Sequence, residues 1–211
     1  MEKLIKYVLV ILLLLLFIFV SADAYVNAIS TDISNTVFRL HVLANSDSEA
    51  DQRLKYIVRD NVLKYVNSIA SDTTNKEEMR KLIEENKSSI IEVAKNTVIE
   101  NGFDYDVNLN IDNFYFPTKT YGDISLPAGL YDGVCIEIGE AKGKNWWCVM
   151  FPPLCFVDVS SGIVPDESKE ELERTLSSEE YSLISSDSNE MKFKFKIVEL
   201  FQNMKTFTAK K

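Results

Sequence analysis

Residues 133–151, GVCIEIGEAKGKNWWCVMF, decide how this chain is read. Val134, Ile136 and Ile138 alternate with Cys135 and Glu137, the two-residue period of a strand with one buried face. AKGKN, residues 141–145, holds a glycine and no large apolar side chain, as a turn does. WWCVMF, residues 146–151, follows as a second strand. The spacing therefore predicts a β-hairpin at 133–151. Neighbours in an extended strand point to opposite faces, so Trp146 and Trp147 must be divided between the two sides of the sheet.

Working outward, FRLHVLA (38–44) sets Phe38, Leu40 and Val42 against Arg39, His41 and Leu43, again a strand pattern. Ser46 and Glu49 fit a capping box that opens a helix running to about Ala70, with Leu54, Val58, Val62, Tyr65 and Ile69 as its apolar stripe. Thr74 and Glu77 suggest a second box. It opens a helical region with a break near Asn86 and a stop at Asn101-Gly102. Val107, Leu109 and Ile111 alternate as a further strand. Residues 114–131 are aromatic and punctuated by Pro117, Gly122, Pro127 and Gly129, and read as irregular. The fold class is α+β: helices packed on one face of a small mixed or antiparallel sheet.

Residues 1–24 carry Lys3 and Lys6, then 14 uninterrupted apolar residues from Tyr7 to Val20, then Ser21-Ala22-Asp23-Ala24. That order is a secretory signal peptide. As a helix the apolar run reaches about 21 Å, short of the ~30 Å hydrocarbon core. An uncleaved anchor is the alternative, and either sends the rest of the chain out of the cytoplasm. Residues 25–158 form the expected α+β signalling domain. Residues 159–211 form an acidic, Ser-rich linker and a C-terminal segment, KFKFKIVELFQNM, whose Phe193, Ile197, Leu200, Phe201 and Met204 favour a helix over a strand. The net charge of −9 disfavours nucleic acid as a partner.

Catalytic and metal chemistry find little support. His41 is the one histidine, and no G-x-S-x-G accompanies it. A zinc site needs three or four ligands at close spacing, and there is no C-x-x-C. A calcium loop from Asn45 fails where Ala50 replaces glycine and Tyr56 replaces glutamate. No cofactor is expected. Three cysteines in an exported chain suggest one disulfide and one free thiol. Cys148 and Cys155 can pair if Pro152-Pro153 reverses the chain; Cys135 and Cys148 can pair if they face one another across the hairpin.

Two blocks go beyond composition: FRLHVLANSDSEADQRLKYIVRDNVL (38–63) and PTKTYGDISLPAGLYDGVCIEIGEAKGKNWWCVMFPPLCFVD (117–158). Both resemble the stage II sporulation protein R family of endospore-forming Firmicutes. Ala141 departs from the family's G-E-G-x-G, which implies a slightly stiffer turn. The resemblance implies a protein that is not an enzyme. Such a protein is secreted from the forespore into the intermembrane space. There it triggers a mother-cell membrane aspartic protease, stage II sporulation protein GA, to process pro-sigma-E. The membrane is met only through the N-terminal segment. The family supplies no contact residues. The polar stretch with Asn45, Ser46, Asp47 and Asp51, and the aromatic one with Trp146, Trp147, Phe151 and Pro152, are the candidate partner-binding sites. A capped helix and a core hairpin would account for them equally well. The rival reading is a secreted cell-wall or small-molecule hydrolase using His41 with a carboxylate. A purely structural protein of the intermembrane space is a third.

Overall fold

The computed structural model describes residues 2–70, 73–155, 164 and 166–185. Helix α1 (Glu2–Thr36) leads into strand β1 (Phe38–Leu43), followed by α2 (Glu49–Ile69), α3 (Lys76–Glu85) and α4 (Lys87–Glu100). Then come β2 (Val107–Phe116), β3 (Lys119–Tyr121), β4 (Ile124–Leu126), β5 (Gly129–Ile138) and β6 (Asn145–Phe151), and last α5 (Asp166–Thr175) and α6 (Ser178–Ser185). Four strands form one mixed sheet in the order β2-β5-β1-β6, and β3 pairs with β4 in a small separate sheet.

The α+β class and the mixed sheet match the expectation, but the hairpin at 133–151 does not form. β1 lies between β5 and β6, parallel to the first and antiparallel to the second. The loop that reads as a hairpin turn instead bridges the end of β1. It must cover two strand spacings, about 10 Å, within reach of six residues at ~3.3 Å each. A local pattern gives the direction of each strand and says nothing about a third strand between them. The burial of β1 does explain its central place: its first five residues are buried, whereas β2, at an edge, alternates buried with exposed over Val107–Asn110. The long antiparallel ladder is β2 with β5, from Val107↔Ile138 to Phe116↔Gly129. The aromatic segment read as irregular supplies the far end of that ladder and the β3–β4 pair at its tip.

Two cores sandwich the sheet. On one face Leu40, Val42, Ile136 and Met150 meet Leu54, Val58 and Val62 of α2, Ile83 of α3 and Ala94 of α4. On the other, Phe116, Tyr131 and Val149 meet Ile33 from the last turn of α1, Ile124 and Leu126 of β4, and Leu172 and Ile184 of α5 and α6. Residues 166–185 thus fold onto the sheet's second face. The C-terminal segment expected as a helix lies outside the described residues. The apolar side chains Leu4 to Ile18 of α1 are exposed. Among the described residues no helix is long and apolar enough to cross a membrane.

Both helix caps shift from their expected positions. Ser48, not Ser46, caps α2 and accepts from the Asp51 N–H, because the Ser46 hydroxyl is already bonded to the Asp51 carboxylate. Asn75, not Thr74, caps α3, and the Thr74 N–H donates to Glu78 rather than Glu77.

Ala141 sits in the loop over β1 at φ 52°, the left-handed region that a Cβ disfavours. Relieving that cost of about 1–2 kcal/mol outweighs the roughly 0.5–1 kcal/mol of backbone entropy that glycine loses. Ala141→Gly is therefore expected to stabilise the chain by about 0.5–1 kcal/mol, read as a higher urea midpoint. An unchanged or lower midpoint would mean the loop carries no such strain.

Candidate functional site

The polar stretch after β1 is a junction between three elements. Asn45 accepts from the Glu140 N–H at 2.9 Å and donates to Asp51 at 2.9 Å. Asp47 accepts from the Lys144 N–H at 2.7 Å. The Lys142 and Gly143 amides donate to the Asn45 and Ala44 carbonyls. Lys55, from α2, is almost fully buried and donates to Gln52 and to the Lys144 carbonyl. Asn45, Ser46 and Asp51 therefore point their polar groups at one another and at the bridging loop. Of the four candidates only Asp47 is exposed.

Asp51 is the centre of this junction. Burial raises its pKa, but bonds from Ser46, Asn45, Tyr105 and Ser48 outweigh it and hold the carboxyl below the usual aspartate value. A lowered folded pKa means stability that is complete above the unfolded value near 3.9 and is lost as pH falls through the folded one. Urea unfolding below pH 4 is expected to show this acid-sensitive component in the wild type. Asp51→Asn should be less stable at pH 7 and lose part of the acid slope. Parallel pH profiles for the two proteins would overturn this assignment.

The aromatic stretch divides as alternation requires. Trp146 packs against the helical core and Trp147 against the second core, both half-buried. The Arg59 guanidinium lies 4.5 Å over the Trp146 ring. Phe151 and Pro152 are buried. The Phe151–Pro152 peptide bond is cis. The chain turns at Pro152-Pro153 and returns along β6, where the Leu154 N–H donates to the Val149 carbonyl at 3.1 Å. Cys148 and Cys155 are bonded, with Cα atoms 5.4 Å apart. Cys135 is free and buried, and burial, with Glu137 nearby, pushes its thiol up to about 12. It stays protonated at neutral pH. By the loop-closure relation the short ring between Cys148 and Cys155 contributes about 2–3 kcal/mol. Replacing both by alanine should lower the thermal midpoint by roughly 5–10 °C, and an unchanged midpoint would show the crosslink to be idle.

His41 stacks on Trp147 with ring centroids 4.9 Å apart, and its edge contacts Phe114 and Phe116. Burial lowers its pKa; the Asn145 hydrogen bond opposes the shift and Arg39 adds to it. Its hydrogen-bond partner is the Asn145 side chain at 3.2 Å, an amide and not the carboxylate a hydrolase would need. Nε2 is buried without a partner. Among the described residues no cluster of three His, Cys, Asp or Glu could hold a metal.

Beside His41 lies the residue that the sequence reading passed over. Arg39 is fully buried, donates to the Tyr121 hydroxyl at 3.0 Å, and sits over the rings of Phe116 and Tyr131. The Tyr121 hydroxyl in turn donates to the Trp147 carbonyl. The one available signal was that Arg39 shares a strand face with His41.

A family model described as Stage II sporulation protein R matches residues 34–161. The chain belongs to this family. A curated relative, stage II sporulation protein R of Bacillus subtilis (strain 168), is 41% identical over 138 residues, 65% of this chain. The match spans 62% of that relative's length. No solved structure matches. The stretch matched to the stage II sporulation protein R family runs from the last turn of α1 past the disulfide. It includes the whole four-stranded sheet, the junction at Asp51 and the aromatic layer around Arg39; α5 and α6 lie beyond it.

Proposed function

We propose that this sporulation protein is an exported signal between compartments: it triggers a membrane aspartic protease, stage II sporulation protein GA, to process pro-sigma-E. The observation that carries this reading is the family match over residues 34–161. The disulfide supports it, because such bonds persist outside the reducing cytoplasm. The charged and apolar N-terminal segment supports secretion from the forespore into the intermembrane space. His41 bonded to an amide within an aromatic layer favours a role in packing over one in hydrolysis.

The test is reconstitution. The chain with its N-terminal segment is expressed beside the membrane protease and pro-sigma-E in a non-sporulating host, and cleavage is read by blotting. Cleavage should need this chain and should disappear when residues 1–24 are deleted. Cleavage without this chain, or none with all three proteins folded and located, would overturn the reading.

A further inference from the structure

Among the described residues β6 ends the sheet, with one of its edges paired to β1. In an antiparallel strand the N–H and C=O of one residue face the same side, and alternate residues face opposite sides. The Trp147 carbonyl accepts from the Tyr121 hydroxyl and the Val149 carbonyl from the Leu154 N–H. Residues 145, 147 and 149 therefore turn their backbone away from β1. The turn at Leu154 covers Val149. Between Asn145 and Trp147, among the described residues, no backbone–backbone bond reaches the outer edge.

This edge, touched at the Trp147 carbonyl only by the Tyr121 hydroxyl among the described residues, opens into a cleft of about 460 Å³ between β6 and β3. Tyr56, Tyr121, Trp146 and Trp147 line it, with the Cys148–Cys155 bridge. Lys119 is the one charged side chain in the lining, and no ion pair engages it among the described residues. The whole chain carries −9, but fields beyond about 8 Å are screened at physiological salt, so the local cation governs a segment lying in the cleft. The Asn145 N–H and carbonyl and the Trp147 N–H, without a backbone partner on that side among the described residues, suit an extended peptide better than a helix when set beside aromatic walls and a single cation.

We propose that the open edge of β6 docks an extended acidic segment of the partner. The segment adds as a fifth strand and sets a carboxylate over Lys119. The partner's identity rests on the function proposed above; the mode of docking does not.

The experiment uses the same reconstitution, with p-benzoylphenylalanine in place of Thr120, an exposed residue of the cleft, or of Asn108, exposed on the opposite edge strand. Crosslinking to the protease is expected from position 120 and not from 108. Lys119→Glu should lower cleavage roughly tenfold or more at an unchanged thermal midpoint. Lys119→Gln serves if the first variant fails to fold. The Trp147 amide should exchange more slowly in the complex. Crosslinks from 108 alone, normal cleavage by Lys119→Glu, or an unprotected Trp147 amide would each overturn the proposal while leaving the trigger role standing. A crosslink from 120 to residues 156–163 or 186–211 of this chain, or to a second copy, would overturn it in favour of those occupants. Crosslinking from 120 without cleavage would uphold the docking and sink the trigger role.

Discussion

Arg39→Ala is expected to destabilise the chain by about 3–5 kcal/mol, while Arg39→Met is expected to leave stability unchanged or to raise it. The two outcomes differ because the guanidinium plays two opposed parts. As volume, it fills the space between β1 and the second core, with no part of it exposed. Truncation to alanine leaves a cavity of the kind that costs about 2–5 kcal/mol for Leu, Ile or Met, and takes the contacts to Phe116 and Tyr131 with it. As a charge, it is poorly served. One nitrogen donates to Tyr121, while Nε and Nη1 have no partner. A cation stripped of water costs several kcal/mol, and two aromatic faces at about 2 kcal/mol each return only part of that. Methionine keeps most of the volume and removes the charge. Urea unfolding of both variants checks this. An equal loss for alanine and methionine would mean that the ring contacts and the Tyr121 bond outweigh desolvation.

Such a residue also marks where the sequence was hard to read. The alternation of FRLHVL gives β1 as a strand, but it assigns Arg39 and His41 to a polar face that ought to meet water. They are buried because the β3–β4 pair, the end of α1 and the α5–α6 region supply a second core, assembled from residues distant in sequence. The helices were more legible, since α2 to α4 follow apolar stripes and local caps. Their starts slipped by one or two residues where a side chain had another partner, as Ser46 does in Asp51. The two candidate disulfides were separable only with topology. Cys135 pairs across β1 with His41, and Cys148 lies on the far side of β1 opposite Leu40. Two strand spacings, about 10 Å, exceed a disulfide's reach. Likewise the polar stretch from Asn45 to Asp51 could be recognised as distinctive, yet its use depends on a loop arriving from residues 139–144.

That dependence sets the second large effect. Gly143→Ala is expected to cost about 3–5 kcal/mol, from overpacking and from lost hydrogen bonds together. A Cβ on Gly143 would overlap the Ser46 carbonyl oxygen, and would lie 2.6 Å from the Ser46 carbonyl carbon and 2.9 Å from the Ala44 Cβ. The first two are backbone atoms, so no side chain can swing aside. Nor can the loop lift without breaking the bonds from the Lys142, Gly143 and Lys144 amides to Asn45, Ala44 and Asp47. At about 1 kcal/mol each, those three bonds alone are worth roughly 3 kcal/mol. Gly139 differs, because there the clash is with the Asn45 side chain, though its φ of 60° makes any substitution strained. Lifting the loop also releases the first residues of β6, and with them Asn145 and Trp146 of the cleft. Under the proposed trigger role, Gly143→Ala should therefore lose cleavage of pro-sigma-E together with thermal stability, whereas Lys119→Glu should lose cleavage alone. Wild-type stability in Gly143→Ala would show that the loop rides freely over the end of β1, and the junction at Asp51 would then no longer explain how β6 is held in place.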